Sequence, residues 1–226
     1  YESLEQQLNS IQGCSGEIAA LESKLRQAEQ EMKALATKIH DMREGAQALL
    51  CDEMKRLLVG LGIKHAEFVV ELVALEHFTP TGCDDVRFLF SANKNQQPGE
   101  IAKVASGGEI SRVMLALKYV LSGSKQLPVI VFDEIDTGLS GEVAHRMAQM
   151  MKEMATRMQV ISISHLPQIA AAGDCHFKVY KEDNQDFTIS HIRKLSYDER
   201  VKEIAGMMSG EEISVAALEA AQNLLK

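Results

Sequence analysis

Two acidic residues follow a short, strongly apolar stretch of the sequence. Residues 128–132 read Pro-Val-Ile-Val-Phe, and Asp133 and Glu134 come directly after them. The run predicts a buried strand, and ligands of parallel sheets bind beyond the carboxyl ends of the strands. One carboxylate there can hold Mg²⁺ beside phosphates, usually through water, and its neighbour can act as general base on an attacking water. The alternative is an acidic strand exit that only caps the next helix.

A second strand-like run ends in a histidine. Residues 160–164 read Val-Ile-Ser-Ile-Ser, and His165 follows them. If both runs are strands of one parallel sheet, His165 lies at the same edge as Asp133 and Glu134. A histidine there can hydrogen-bond a terminal phosphate and an attacking water, although a single histidine at a strand end is more often structural.

A glycine-rich segment predicts the start of a helix. Ser106 is followed three residues later by Glu109, which is the spacing of a capping box, and apolar residues at helical spacing come next. The first turn contains Gly107 and Gly108, so its backbone N–H groups would be open to an anion at the positive end of the helix dipole. A capped structural helix after a flexible loop explains the same residues equally well.

The sequence before these segments predicts one long helix. Residues 1 to about 56 contain no proline, and apolar residues from Ile18 to Leu49 recur at alternating steps of three and four, as in a coiled coil. The phase slips at residues 13–16, where two glycines predict a break. The alternative is an amphipathic helix packed on the globular part. We expect the partner strand of the coil in another chain or in a segment outside this sequence.

After Gly60 and Gly62, which are expected to end the helix, the pattern becomes that of an α/β protein. Two strands are predicted around 66–72 and 86–90, and a polar loop at 91–105. Helix and strand then alternate, which predicts a parallel sheet with covering helices. In chain order the expected elements are a helix from Gly107, strand 129–133, helix 141–154, strand 159–164, a short helix at 167–172, a hairpin at 175–181 and 187–194, and helices 197–208 and 213–225.

Charge and cysteine content exclude several classes. The net charge is −8 and the pI about 5.4, which argues against a generic basic surface for nucleic acid. Four cysteines are scattered without paired spacing, so neither a disulfide framework nor a zinc site is expected. The pattern predicts a cytoplasmic protein with reduced cysteines. No apolar run reaches the ~18 residues of a membrane span.

The three segments, in this order, resemble the second half of an ABC-type ATPase head. The resemblance identifies the Ser106 segment with the signature motif, residues 132–134 with Walker B and its catalytic glutamate, and His165 with the switch histidine. The resemblance is dense over residues 84–226. The longest stretches that resemble the RecN family of bacterial DNA repair proteins, relatives of the SMC proteins, are 106–118, 132–141 and 164–171.

The resemblance implies a mechanism. Two complete heads would enclose two ATP molecules, each site combining the signature of one head with Walker A and Walker B of the other, in the repair of DNA double-strand breaks by recombination. Asp133 would hold Mg²⁺ through water, Glu134 would position and deprotonate the attacking water, and His165 would sense the γ-phosphate. The nucleotide-binding residues would be Ser106, Gly107, Gly108 and Glu109.

One motif of such heads is missing. The sequence contains no Gly-x-x-x-x-Gly-Lys-Ser/Thr, the P-loop that normally supplies most of the phosphate grip. We therefore expect a C-terminal part, with one coiled-coil strand at 1–58 and the C-terminal lobe of the head at 59–226, inactive alone. Its expected partners are its own N-terminal P-loop half, a second head as a homodimer, and DNA by resemblance, in the cytoplasm at the nucleoid and without a membrane.

The loop after Walker B departs from the SMC pattern. Ser140 stands where SMC heads usually carry an aspartate, and Asp136 lies nearby but out of register; whether Ser140 bridges subunits stays open. Two other classes remain. The first is half of another ABC-type ATPase, such as a transporter cassette or another SMC relative; a transporter predicts a P-loop lobe, not a heptad arm, before the signature. A non-enzymatic coiled-coil module predicts that substituting Glu134 or Ser106 changes nothing in the assembled protein.

Overall fold

The computed structural model describes most of the chain. The described residues are 2–123, 127–136, 139, 141–183, 187–210 and 212–226. In chain order the elements are α1 (Glu2–Gly60), β1 (Glu67–Thr79), β2 (Gly82–Ser91), β3 (Gly99–Glu100), α2 (Ile101–Val104), α3 (Gly107–Ser122), β4 (Val129–Asp133), α4 (Gly141–Ala155), β5 (Gln159–Ile163), α5 (Pro167–Ala172), β6 (Phe177–Asp183), β7 (Thr188–Lys194), α6 (Tyr197–Ser209) and α7 (Val215–Leu224). Among the described helices, none has the length and apolar character that a membrane crossing requires.

The chain divides into two compact units. The first comprises Tyr1–Cys51 with Val69–Phe88, and the second comprises Asp52–Phe68 with Leu89–Lys226. The boundary expected between 58 and 59 does not coincide with this division. The difference arises because the outer part of the β1–β2 hairpin packs on α1 and so belongs with the long helix.

Helix α1 runs without interruption from Glu2 to Gly60. The break expected at 13–16 is absent from the backbone of this described helix. Each glycine in a helix interior costs about 1 kcal/mol relative to alanine, which the surrounding Ala-, Glu-, Gln- and Lys-rich sequence can offset. The end of the helix follows the prediction: Gly62 adopts φ +85°, a left-handed conformation that glycine enters without steric penalty.

Most of the heptad residues of α1 face solvent. The large side chains of this stripe that are between 60% and 75% exposed are Leu21, Leu25, Leu35, Met42 and Leu49. The hairpin covers a neighbouring face that includes one heptad residue: Ala36 is buried, Ile39 lies beside Gly82 of β2, and Gln47 Nε2 donates to the carbonyl oxygen of Val70 at 2.5 Å. The first unit therefore combines features of both sequence alternatives, because part of the helix packs on the hairpin while most of the heptad residues stay exposed.

A buried carboxylate joins the hairpin to α1. The side chain of Asp84, on β2, is 1% exposed. His40 Nδ1 lies 2.8 Å from its Oδ1, and Arg43 donates to its Oδ2 at 2.9 Å and to the carbonyl of Thr81 at 2.7 Å. The hydrogen bond between His40 and Asp84 raises the pKa of His40 above its ordinary value and lowers the pKa of Asp84.

This pair should stabilise the first unit most between about pH 4 and pH 6.5. The stabilisation of the folded state by His40 is complete below its unfolded pKa of about 6.5. It is lost as the pH rises through the higher pKa that His40 has in the folded state. The contribution of Asp84 is complete above about 3.9 and is lost as the pH falls through the lower folded pKa. The decrease in melting temperature caused by His40→Gln should therefore be largest at about pH 5.5 and become smaller towards about pH 8.

The measurement is thermal unfolding of both chains across that pH range. His77→Gln, at an exposed position of β1, is the matched control and should give no such maximum. A loss on His40→Gln that is constant with pH would contradict the prediction.

The second unit carries the predicted alternation of helix and strand. Strands β4 and β5 pair in parallel, the β6–β7 hairpin is antiparallel, and the predicted helices after Gly107 all form. Residues 91–105 are not simply a loop, since β3 pairs with β2 and α2 follows at once. Elements of two and four residues are too short for hydrophobic periodicity to reveal.

Candidate active site

The ends of β4 and β5 lie side by side. The two strands pair in register from Val129↔Gln159 to Asp133↔Ile163. Asp133 is thus the last residue of β4, and Ser164 and His165 follow β5 directly. The prediction that His165 lies at the same sheet edge as Asp133 and Glu134 is confirmed, and all three of these side chains are exposed there.

Glu134 has an unusual backbone. It is the only non-glycine residue in the described part of the chain with a positive φ, at 47°, and its N–H donates to the carbonyl of Ile163 at 3.1 Å. A non-glycine residue in this region costs on the order of 1–3 kcal/mol, and such residues cluster at active sites. The strained turn directs the chain away from β4 immediately after Asp133. The sequence gives no local signal for it, since no glycine or asparagine stands there.

A buried carboxylate lies beneath this edge. The Asp136 side chain is 1% exposed, and the hydroxyl of Ser164 donates to its Oδ2. Ser164 Oγ in turn accepts from the backbone N–H of Leu166 at 3.0 Å. The Asp136 carboxylate and Ser164 therefore connect the loop after β4 to the loop after β5. Sequence reasoning named Asp136 only as a neighbour of Ser140, and Ser140 lies outside the described residues.

The N-terminus of α3 has the predicted cap. Ser106 is the N-cap residue, and the Glu109 carboxylate accepts from the backbone N–H of Ser106 at 2.7 Å and from its hydroxyl at 2.9 Å. Both Ser106 and Gly107 are exposed, and a Cβ built on Gly107 would meet nothing within 4 Å. The first turn of α3 is thus open to a ligand, and the glycine there is not required by packing within the chain.

The residues at the sheet edge fit one divalent cation held together with a nucleotide. Mg²⁺ prefers oxygen ligands and is usually bound by one or two carboxylates, several waters and substrate phosphates. Asp133 and Glu134 provide exposed carboxylates at the strand end. Among the described residues no cluster of three or more His, Cys, Asp or Glu could hold a metal by itself. The two exposed carboxylates suit a Mg²⁺ ion that is held together with phosphates.

One face of the β4–β5 pair is uncovered. Ile130 and Phe132 are buried on one side of β4. On the other side, the apolar residues of both strands that are between 43% and 55% exposed are Val129, Val131, Ile161 and Ile163. Parallel sheets normally have both faces covered, so this face has the composition of a core layer without its cover.

The family of the chain is evident from comparison with known proteins. Residues 9–188 match a family model described as "RecF/RecN/SMC N terminal domain". The DNA repair protein RecN of Haemophilus influenzae is 33% identical over 226 residues, which cover 100% of this chain and 40% of that protein. RecN of Deinococcus radiodurans is 43% identical over 183 residues, which cover 81% of this chain and 32% of that protein. The chain spans less than half the length of these relatives.

Solved structures show the same fold. An SMC head bound to the C-winged helix domain of ScpA aligns with a TM-score of 0.54 and 20% identity, over 76% of this chain and 49% of that chain. A structure described under ATP-driven dimerisation and DNA-stimulated activation of SMC ATPases aligns with a TM-score of 0.51 and 19% identity, over 77% of this chain and 99% of that chain. The expected fold class is confirmed: an α/β head of the SMC type, with a parallel strand pair and a long preceding helix.

One expectation is corrected by these comparisons. The matching family model is described as an N-terminal domain, which contradicts our expectation of a C-terminal part. That expectation rested on the missing P-loop. A missing motif says what a segment lacks, but not where the segment lies in a longer protein.

Proposed function

Since this chain belongs to the RecF/RecN/SMC N-terminal domain family, we propose that it forms part of an ATPase head whose ATP site is completed by residues outside these 226. The observation that carries the proposal is the paired end of β4 and β5, where Asp133, Glu134 and His165 share one edge. Two carboxylates and an imidazole at the carboxyl end of parallel strands are groups that phosphoryl transfer to water can use.

Each group has a distinct role in this proposal. Asp133 would hold Mg²⁺ through water, and the bound ion would supply positive charge beside the phosphates. Glu134 orients the attacking water and accepts its proton, while His165 donates a hydrogen bond towards the γ-phosphate. The strained backbone of Glu134 supports this assignment, because non-glycine residues held in such conformations cluster at active sites.

The second part of the proposal concerns the first turn of α3. Ser106, Gly107 and Gly108 form a signature motif that contacts the γ-phosphate held by an opposing head. Exposed N–H groups at a helix N-terminus suit an anion, and the space above Gly107 lets a phosphate approach the backbone. Glu109 anchors the cap, as its hydrogen bonds to Ser106 indicate. ATP then acts as a ligand that joins two heads, and hydrolysis separates them.

Two features support a site that is incomplete within the chain. The sequence has no P-loop, and the β4–β5 pair has an uncovered apolar face. We propose that a P-loop-bearing segment of a RecN-type protein both covers this face and supplies the missing phosphate grip. The chain alone is then expected to turn over no ATP.

The biological role follows from the relatives. The proteins of Haemophilus influenzae and Deinococcus radiodurans are DNA repair proteins, so the head is proposed to serve repair of DNA double-strand breaks by recombination, as a homodimer that acts on DNA. The exposed heptad seam of α1 suits a coiled-coil arm. The same exposed seam also supports one other candidate function, a coiled-coil interaction module without catalysis.

The test is ATP turnover by this chain mixed with a separately produced P-loop segment of a RecN-type protein. Each component alone is the control. We expect turnover only in the mixture, together with a stable complex in size-exclusion chromatography. A complex that forms and binds ATP but never hydrolyses it would reject the ATPase proposal in favour of the interaction module.

A further inference from the structure

We infer that Asp136 is a positioning residue, whose buried carboxylate holds the Nδ1 side of His165 and thereby turns Nε2 towards the phosphate. The inference rests on the proposed function for its catalytic consequence, but the contact itself does not depend on that function. It assigns a role to a residue that neither the motif nor the family resemblance explains.

The two oxygens of Asp136 have different surroundings. Oδ2 accepts the hydroxyl proton of Ser164. Oδ1 is fully buried and has no hydrogen-bond partner among the residues that the structure describes, and a buried carboxylate oxygen without a donor costs free energy. A hydrogen-bond donor that reaches Oδ1 would therefore stabilise the folded chain.

His165 is placed to be that donor. Its Nδ1 lies 3.6 Å from Asp136 Oδ1, which is too long for a hydrogen bond but within reach of a small rotation of the ring. The His165 side chain is 66% exposed, so the rotation meets little resistance.

The geometry of the imidazole makes this contact directional. When Nδ1 carries the proton and faces a carboxylate, Nε2 lies on the far side of the ring. A carboxylate that hydrogen-bonds Nδ1–H fixes both the tautomer and the orientation of a histidine. Ser164 contributes indirectly, because its bonds to Asp136 and to the N–H of Leu166 hold the carboxylate and the loop of His165 together.

The burial of Asp136 also excludes a simpler role. A residue that bridges two heads has to reach a surface, whereas the Asp136 side chain is 1% exposed and is engaged by the following loop of its own chain. Its effect on the reaction therefore passes through His165.

The experiment has a spectroscopic arm and a kinetic arm. In the 226-residue chain with ¹⁵N-labelled histidine, the imidazole resonances of His165 are identified with His165→Gln, and its tautomer is read from the chemical shifts of the two ring nitrogens. We expect the Nδ1–H tautomer in the wild type and a shift towards the Nε2–H tautomer in Asp136→Asn. A wild-type His165 in the Nε2–H form would overturn the inference, even if Asp136→Asn failed to fold.

The matched control is Asp84, a second buried aspartate among the described residues that lies beside a partly exposed histidine, His40. Asp84→Asn should change the resonances of His40, which it contacts at 2.8 Å, and leave those of His165 unchanged. A response of His165 to both variants would indicate a general loss of structure and would overturn the specific role of Asp136.

The kinetic arm uses the mixture with the P-loop segment. Asp136→Asn should lower kcat by roughly 10- to 100-fold, the range for residues that orient a functional histidine, while KM for ATP changes less than about threefold. Asp84→Asn should leave kcat unchanged. An unaltered kcat in Asp136→Asn would overturn the inference.

Normal turnover in Glu134→Gln would instead reject the catalytic proposal, and the resonances of His165 would still report the contact.

Discussion

Substituting Glu134 by glutamine is expected to reduce ATP turnover in the mixture with a P-loop segment by about 100-fold or more. A positioned general base typically contributes a factor of 10² to 10⁴, and an amide of the same shape cannot accept a proton from water. Binding of ATP and assembly with the P-loop segment should persist, because the proposal assigns phosphate binding and the interface to residues other than Glu134. The measurement is single-turnover hydrolysis alongside equilibrium binding of ATP.

The control for this substitution is Glu142→Gln, an exposed glutamate in the first turn of α4 that should keep full turnover. Normal hydrolysis by Glu134→Gln in a complex that binds ATP would show that Glu134 is not the base. That result would leave the fold and the family unaffected, and would favour a head that binds nucleotide without this residue as its catalyst.

The backbone of Glu134 adds a stability readout to the same experiment. Because its φ is 47°, Glu134→Gly should relieve strain that Glu134→Gln retains. The glycine variant is therefore expected to melt at a higher temperature than the glutamine variant while being equally inactive. A lower melting temperature for glycine would mean that the Glu134 side chain itself holds the turn.

Adding a single methyl group at Gly107 is expected to lower ATP turnover on the order of 100-fold without harming the fold. A Cβ at this position meets nothing within 4 Å in the chain, so Gly107→Ala should fold and melt normally. In the assembled head, however, the methyl group would stand between the backbone of α3 and an incoming phosphate. Losing preorganised N–H contacts to a reacting group costs about 10²- to 10³-fold in rate.

Gly206→Ala is the matched control, since Gly206 lies in α6 and a Cβ there also meets nothing within 4 Å. Both variants are compared by thermal melting and by turnover in the mixture. Full turnover in Gly107→Ala would contradict the proposal that α3 opens onto a phosphate. A loss in both variants would point to helix geometry rather than to a ligand.

Much of the candidate site was predictable because its signals are local. An apolar run followed by Asp133 and Glu134 indicates a buried strand with an acidic end, and Ser106 with Glu109 indicates the start of a helix. Neither prediction requires knowledge of distant residues. Elements with weak local patterns were missed: the two-residue strand β3 carries no periodicity, and residues 13–16 were read as a break although helix α1 continues through them.

The sequence alone determined which groups stand at the strand ends, how α3 is capped and which residues form the heptad stripe, because each depends on neighbours within a few positions. Only the tertiary structure decided that Asp136 is buried against Ser164, 28 residues away, and that Asp84 pairs with His40, 44 residues away. It also decided which face of α1 the hairpin covers. These contacts are set by packing, since a polar side chain becomes buried only when separate elements meet around it and satisfy its hydrogen bonds.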